Sequence, residues 1–210
     1  MAPAPRVSLR ALLLGTGPRF ARDALGPVLV FYLGWRLVGL TAGILGATAL
    51  ALGVYVWERR QDRSGLGAAL GFGIALTQAV VGLLSGSAIA YFAPPVVINA
   101  IYGLAFIVSV LVRRPLAGVF AQETYPFPPE VRASATFRRV FSRVSLVWGV
   151  YLLLRSALRL QALAWGNVEL FLAISVATGL PLTAALMTWS VWYGLRGFRR
   201  SEEWGWALRG

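Results

Sequence analysis

Long apolar tracts alternate with short arginine clusters along the chain, and the tracts set the first expectation. Crossing the hydrocarbon core of a bilayer takes about 20 apolar residues in a helix. The first tract runs from Leu25 to Trp57 without an acidic residue, too long for one span. Arg36 and Gly39 mark a reversal inside it, which divides it into a short first helix and a fuller second one. The tract from Leu66 to Leu84 predicts a third helix, and Pro94-Pro95 opens a fourth that runs to Val112. A fifth covers Ser142 to Leu163 and a sixth Val168 to Tyr193, with Pro181 expected to kink the last. The pattern predicts an all-α, polytopic membrane helix bundle of six transmembrane helices in three hairpins.

The clusters between the tracts orient the bundle. Arg6, Arg10, Arg19 and Arg22 precede the first span, and Arg59, Arg60 and Arg63 follow the second. Arg113, Arg114, Arg132, Arg138, Arg139 and Arg143 fall between the fourth and fifth, and Arg196, Arg199, Arg200 and Arg209 follow the sixth. Loops rich in basic residues stay on the cytoplasmic side, so both termini are expected there. The organisation is then a cytoplasmic segment 1–22, a membrane domain 23–195 with a cytoplasmic loop 113–141, and a cytoplasmic tail 196–210. The apolar patch "ALLL" near the N-terminus is shorter than the core of a signal peptide, about 7–15 residues, so no cleavage is expected.

A weak repeat supports the hairpins. The returning helices end "VYVWERR", "VSVLVRR" and "VWYGLRGFRR", while the outgoing first and fifth contain "YLGWR" and "YLLLR". Membrane interfaces favour Tyr, Trp and Arg in any case, and that explanation stands equally. Small residues recur four apart at Gly39 and Gly43, Gly67 and Gly71, and Gly82 and Gly86. Such spacing lets helix backbones approach closely, within one chain or across a dimer seam. In the long loop, "YPFPPE" reads as a turn with Pro129 in the first turn of a helix. Val131, Phe137, Val140 and Phe141 then alternate with Arg132, Arg138, Arg139 and Arg143, as in a basic amphipathic segment at the membrane surface.

Composition narrows the chemistry. The chain is 58% hydrophobic and only 13% charged, against about 25% charged in a soluble domain. With a mean hydropathy of +0.68, much of it must be solvated by lipid. All 20 basic residues are arginine, and neither histidine nor cysteine occurs. That removes the usual zinc and haem ligands and any disulfide, and without lysine no Schiff base can form. No cofactor and no metal are expected. The net charge of +12 sits in loop clusters, an arrangement for membrane topology rather than for nucleic acid. No carboxylate pair occupies one span, and "GLGAALGFG" lacks a Walker lysine, so the chain is not expected to be an enzyme.

Three arginines escape the cytoplasmic clusters: Arg36, Arg155 and Arg159. Arg36 lies about 12 residues into the first span and Arg155 about 13 into the fifth, which puts both roughly 18–20 Å from the inner surface. On the fifth helix, Val144, Trp148, Tyr151, Arg155 and Arg159 form one stripe, leaving Val150, Leu153, Leu154 and Leu158 for lipid. The fourth carries Asn99, Tyr102, Phe106 and Ser109 on a stripe of its own. Gln78 and Glu169 are the remaining polar groups at comparable depth. An arginine at the centre of a span costs about 2.5–3.5 kcal/mol on insertion scales. One reading has the arginines snorkel outward or pair with Glu169 to fix register. The other makes Arg36, Arg155 and Arg159 an anion-binding layer, with Asn99, Tyr102 and Tyr151 donating hydrogen bonds to a lipid phosphate or carboxylate.

The stretches "INAIYGLAFIVSVLVRRPLAGVF" and "FRRVFSRVSLVWGVYLLLRSALRLQAL" carry a resemblance. Asn99 and Tyr102 enter a span that ends at Arg113, Arg114, Pro115 and Leu116, and Arg138-Arg139 lead into a span containing Trp148. This pattern resembles an uncharacterised bacterial integral-membrane family of actinobacterial type, itself distantly similar to the intracellular septation protein A family. The resemblance covers about residues 20 to 195 and implies a multi-pass protein of the bacterial cytoplasmic (inner) membrane, engaged in cell-envelope maintenance or septation, without established catalytic residues. The expected function is to bind, and to move, an anionic membrane lipid or amphiphile. The alternative is an accessory or scaffold subunit of a larger envelope or division complex, with membrane-protein partners or a second copy of itself.

Overall fold

The structure, a computed structural model, describes residues 26–61, 66–124 and 127–203. The segment 1–22, Arg63 and Arg209 lie outside the described residues. All regular structure among the described residues is α-helical. The chain divides into two compact units, one through Pro95 and one from Val96.

The first unit holds α1 (26–37), α2 (Leu40–Arg59), α3 (Leu66–Ser85) and the opening turns of α4 (Ala88–Leu111). The reversal predicted near Gly39 is present, with Gly39 at φ +130°, a conformation that a Cβ disfavours. α1 and α2 then meet backbone to backbone. A Cβ added to Gly34 would lie 2.8 Å from Gly43 Cα, and one on Gly43 would lie 2.7 Å from the Phe31 carbonyl oxygen. Beside this crossing, Phe31 is 1% exposed, stacks on Tyr91 at 4.7 Å and meets Phe92 edge-on at 4.8 Å. Gly82 lets α3 close on Ile44 and Tyr91 in the same core. Of the spaced glycines, therefore, Gly43 and Gly82 make helix contacts, whereas Gly39 and Gly86 (φ +61°) form turns and Gly71 meets nothing. The surroundings of Gly67 lie outside the description.

The fourth helix departs from expectation. It begins at Ala88, and Pro94-Pro95 lie inside it rather than opening it. The start signal is Ser87, whose Oγ accepts from the Ala90 N–H at 3.4 Å. Pro95 has no N–H for the carbonyl of Tyr91 one turn back. Gln78 Nε2 from α3 donates to that oxygen at 3.3 Å, so a neighbouring side chain replaces the missing backbone donor and the helix continues.

The second unit contains the remainder of α4, α5 (Leu116–Thr124), α6 (Pro129–Ala133), α7 (Ala135–Ala164), α8 (Val168–Ala177) and α9 (Leu180–Arg199). α4 ends in a Schellman turn: Arg114 N–H bonds to Ser109 O at 2.9 Å and Arg113 N–H to Val110 O at 3.0 Å. The left-handed position usually given to glycine is held by Arg113 at φ +58°, at a cost of about 1–2 kcal/mol. α4 and α7 cross at Gly103 and Gly149, where a Cβ on Gly149 would come within 3.0 Å of Gly103 O. Leu153, expected toward lipid, instead lies against Gly103.

Helix α7 is 30 residues long, about 45 Å at 1.5 Å per residue, longer than a hydrocarbon core of about 30 Å. Its first turns continue the region expected as loop 113–141, which is largely helical. Ser134 caps α7 by accepting from Phe137 N–H at 3.1 Å, and Pro129 opens α6 as expected. Phe137 and Val140 are buried with Phe198, against Phe127, Val131, Phe141 and Tyr193. The apolar side of the basic segment is thus occupied by protein. α5 docks on α7 through Ala117 N–H, which bonds to the buried Ser145 Oγ at 3.0 Å.

Among the described residues, four stretches are long and apolar enough to cross a membrane: Leu40–Arg59, Ala88–Leu111, Ala135–Ala164 and the consecutive α8–α9 pair, Val168–Arg199. Ala69–Ser85 is a shorter apolar helix. Helix 26–37 has 12 residues, about 18 Å, less than a bilayer core.

The glycine environments give a direct test. Gly43→Ala should lower the unfolding midpoint in detergent, with a loss of about 1–3 kcal/mol because backbone must move. Gly71→Ala, in open space, should hold or raise it by up to about 1 kcal/mol. Differential scanning fluorimetry on the two variants reads both.

Candidate functional site

Pro181 does more than kink the last apolar tract. Its ring would strike the carbonyl of Ala177, one turn back, and α8 ends at that residue. α9 resumes at Leu180 with Pro181 in its first turn. At the break the hydrogen-bond ladder slips: Thr178 N–H still reaches Ile174 O, but Gly179 N–H turns to Val176 O at 3.2 Å. The carbonyls of Ser175 and Thr178 therefore need other donors, and in an apolar interior water does not supply them.

The donors come from α7. Tyr151 Oη–H donates to Thr178 O at 2.5 Å and accepts from Thr183 Oγ1 at 2.8 Å. Arg155 Nη2 donates to Ser175 O at 3.4 Å. One turn before Tyr151, Trp148 Nε1 donates to Ser190 Oγ on α9 at 3.0 Å while its ring stacks with Phe106. Gly179 makes room for the arginine, since a Cβ there would lie 2.6 Å from Ser175 O and 3.3 Å from Arg155 Nη2. One turn further along α7, Arg159 is only 6% exposed, with its guanidinium carbon 4.6 Å from the ring centroid of Phe171 on α8.

The stripe Val144, Trp148, Tyr151, Arg155 and Arg159 thus faces protein, and Val150, Leu154 and Leu158 are exposed as expected. The two guanidinium groups point inward. Among the described residues, four buried side-chain polar atoms have no hydrogen-bond partner: Arg155 Nε, Arg159 Nε, Ser156 Oγ and Ser175 Oγ. Two fixed positive charges one helical turn apart supply donors of the kind that suits an anion.

Each of the other expected residues has surroundings of its own. Arg36 belongs to the first unit, where it is exposed, stacks over Tyr32 and Trp35 at 5.7 and 5.9 Å, and donates from Nε to Tyr32 Oη at 3.4 Å. Tyr102 is 54% exposed on α4, and Asn99 is half-buried one turn before Gly103. Glu169 is exposed in the first turn of α8, where a carboxylate favours the helix dipole beside the capping side chain of Asn167, which accepts from Leu170 N–H at 2.8 Å. Gln78 serves Tyr91 in the first unit. The hydroxyls of Ser156, Ser175 and Thr183 are the contributors that sequence reasoning missed. Their signal was "TGLP" inside an apolar tract, a break whose free carbonyls demand polar neighbours.

Helices long and apolar enough to cross a membrane mark the chain as a helical membrane protein. The chain belongs to the family described as protein of unknown function, DUF3159, whose model matches residues 15–201. No curated protein and no solved structure matches it.

Tyr151→Phe should cost about 1–3 kcal/mol, because Thr178 O is left without a donor in apolar surroundings. Tyr102→Phe, on an exposed position, should stay within about 0.5 kcal/mol of the parent. Equilibrium unfolding in detergent distinguishes the two.

Proposed function

We propose that this is an integral protein of the bacterial cytoplasmic membrane that binds an anionic lipid or amphiphile at the α8–α9 break, with Arg155 and Arg159 as the charged groups. The observation that carries the reading is the set of four unpartnered buried atoms, Arg155 Nε, Arg159 Nε, Ser156 Oγ and Ser175 Oγ. Leaving such donors unmet in low dielectric is costly, and a phosphate or carboxylate oxygen would meet both guanidinium groups at once. Movement of the bound molecule extends the reading, since discontinuous helices are the elements that form substrate sites in membrane transporters. Six spans with both termini cytoplasmic follow from the arginine clusters, α1 being the short one. The resemblance to the septation protein A family supports a role in envelope maintenance or division. The accessory-subunit reading draws on Gly53, Gly71 and Gly73, where an added Cβ would meet nothing within 4 Å among the described residues, which leaves room for another helix.

Native mass spectrometry of the full chain in mild detergent should find an anionic lipid retained by the parent protein. One lipid equivalent should be lost in Arg155→Gln and in Arg159→Gln, its occupancy falling about tenfold or more, and should persist in Arg200→Gln. Retention unchanged in both site variants, each with a parent-like unfolding midpoint, would remove the binding reading. Because the chain lacks cysteine, introduced thiols report topology cleanly. Ser87→Cys and Asn167→Cys should react with an impermeant maleimide in intact cells, and Gln61→Cys and Ser201→Cys only after lysis.

A further inference from the structure

At the far end of α7 from Arg155, an open cleft of about 310 Å³ is lined by Val110, Arg113, Arg138, Arg139 and Ser142. Arg155 lies 16 positions beyond Arg139, about 24 Å along the helix, so the cleft is separate from the α8–α9 break. Three of its five lining residues are arginines, none is acidic, and Ser142 adds a hydroxyl. Arg138, Arg139 and Ser142 come from successive positions on the first turns of α7, whereas Arg113 is brought in by the left-handed end of α4. Glycine would close that Schellman turn without strain. An arginine there is disfavoured by the backbone and places a third guanidinium on the cleft. Topology alone asks for positive charge near the end of a span, and Arg114 next door meets that demand from an ordinary conformation. The strained position is what turns a row of basic residues into a three-sided cluster.

The apolar rim indicates the source of the anion. Leu111 and Val112, immediately before Arg113, are 75% and 61% exposed, and Val110 lines the cleft itself. An occupant with acyl chains can lie along this end of α4 while its headgroup faces the arginines.

We infer that the cleft of Arg113, Arg138, Arg139 and Ser142 binds the phosphate headgroup of an anionic lipid at the surface end of α4 and α7, with a preference for a phosphomonoester. A phosphomonoester carries nearly two negative charges and three acceptor oxygens near pH 7, matching three guanidinium groups and a hydroxyl better than a diester with one charge. Guanidinium forks suit such oxygens bidentately.

The test uses the full chain in nanodiscs of phosphatidylcholine doped with phosphatidic acid, phosphatidylglycerol or neither, with bound lipid measured by native mass spectrometry. Phosphatidic acid should be retained at least tenfold over phosphatidylglycerol. Arg113→Gly should abolish that preference while raising the unfolding midpoint, because it relieves the left-handed strain as it removes the guanidinium. Arg138→Gln/Arg139→Gln should weaken retention by a similar factor, and Arg155→Gln should leave the preference intact, which separates this cleft from the break. Equal retention of both anionic lipids, or an Arg113→Gly protein with parental preference, overturns the inference. Displacement of the lipid by inorganic phosphate at micromolar concentration would overturn the lipid assignment in favour of a soluble phosphate.

Discussion

A carbonyl oxygen stripped of its helical partner inside an apolar interior has to find a donor, and two prolines impose that requirement on this protein. At Pro95 the deprived oxygen belongs to Tyr91, and the amide of Gln78 reaches across from α3 to meet it. At Pro181 the break is complete, and the oxygens of Ser175 and Thr178 are met by Arg155 and Tyr151 from α7. The two cases explain why rare polar side chains sit where they do among leucines, valines and alanines. They are positioned first by backbone chemistry. The anion site proposed at the second break would use atoms that remain after that need is met, chiefly the Nε groups of Arg155 and Arg159.

Glycine provides the complementary constraint. With lipid on the outside, burying leucine against leucine gains little over leaving it in acyl chains, so helices associate where backbones can touch. Gly34 with Gly43, and Gly103 with Gly149, are such contacts, one in each unit. The large side chains that do become buried, Phe31 and Phe171 among them, fill the space beside crossings or beneath a guanidinium. The exposed leucines and valines on every long helix are the solvent-facing surface of a protein whose solvent is hydrocarbon.

Much of this was legible in the residue order. The helical class, the reversal at Gly39, the place of Pro129 in the first turn of α6 and the inward stripe of α7 all follow from composition, turn chemistry and a 3.6-residue period. Two departures share a cause: from sequence alone a proline reads as a boundary or a bend. Pro94-Pro95 lie within a helix because Gln78, 13 positions before Tyr91 in the chain, replaces a donor, and no local pattern displays that partner. Pro181 ends a helix because Gly179 and the donors of α7 make a full break tolerable. Leu153 was assigned to lipid by its place on the helical wheel, but Gly103 opens a groove for it on α4. Likewise Tyr102 shares only an estimated depth with Arg155 and is 54% exposed on α4, because equal depth says nothing about azimuth.

The hydroxyl of Tyr151 has a mechanical consequence. It joins Thr178, at the end of α8, to Thr183, in the first turn of α9, and so acts as a pin through the joint between two half-helices. With the pin seated, α7, α8 and α9 are geared together, and a rotation of α7 about its own axis is transmitted to both halves. Withdrawn, the same rotation would free each half-helix to pivot separately about Gly179. Tyr151 shares that task with Trp148, tied to Ser190 on α9, and Arg155, tied to Ser175 on α8, so one face of α7 works as a shaft for both half-helices.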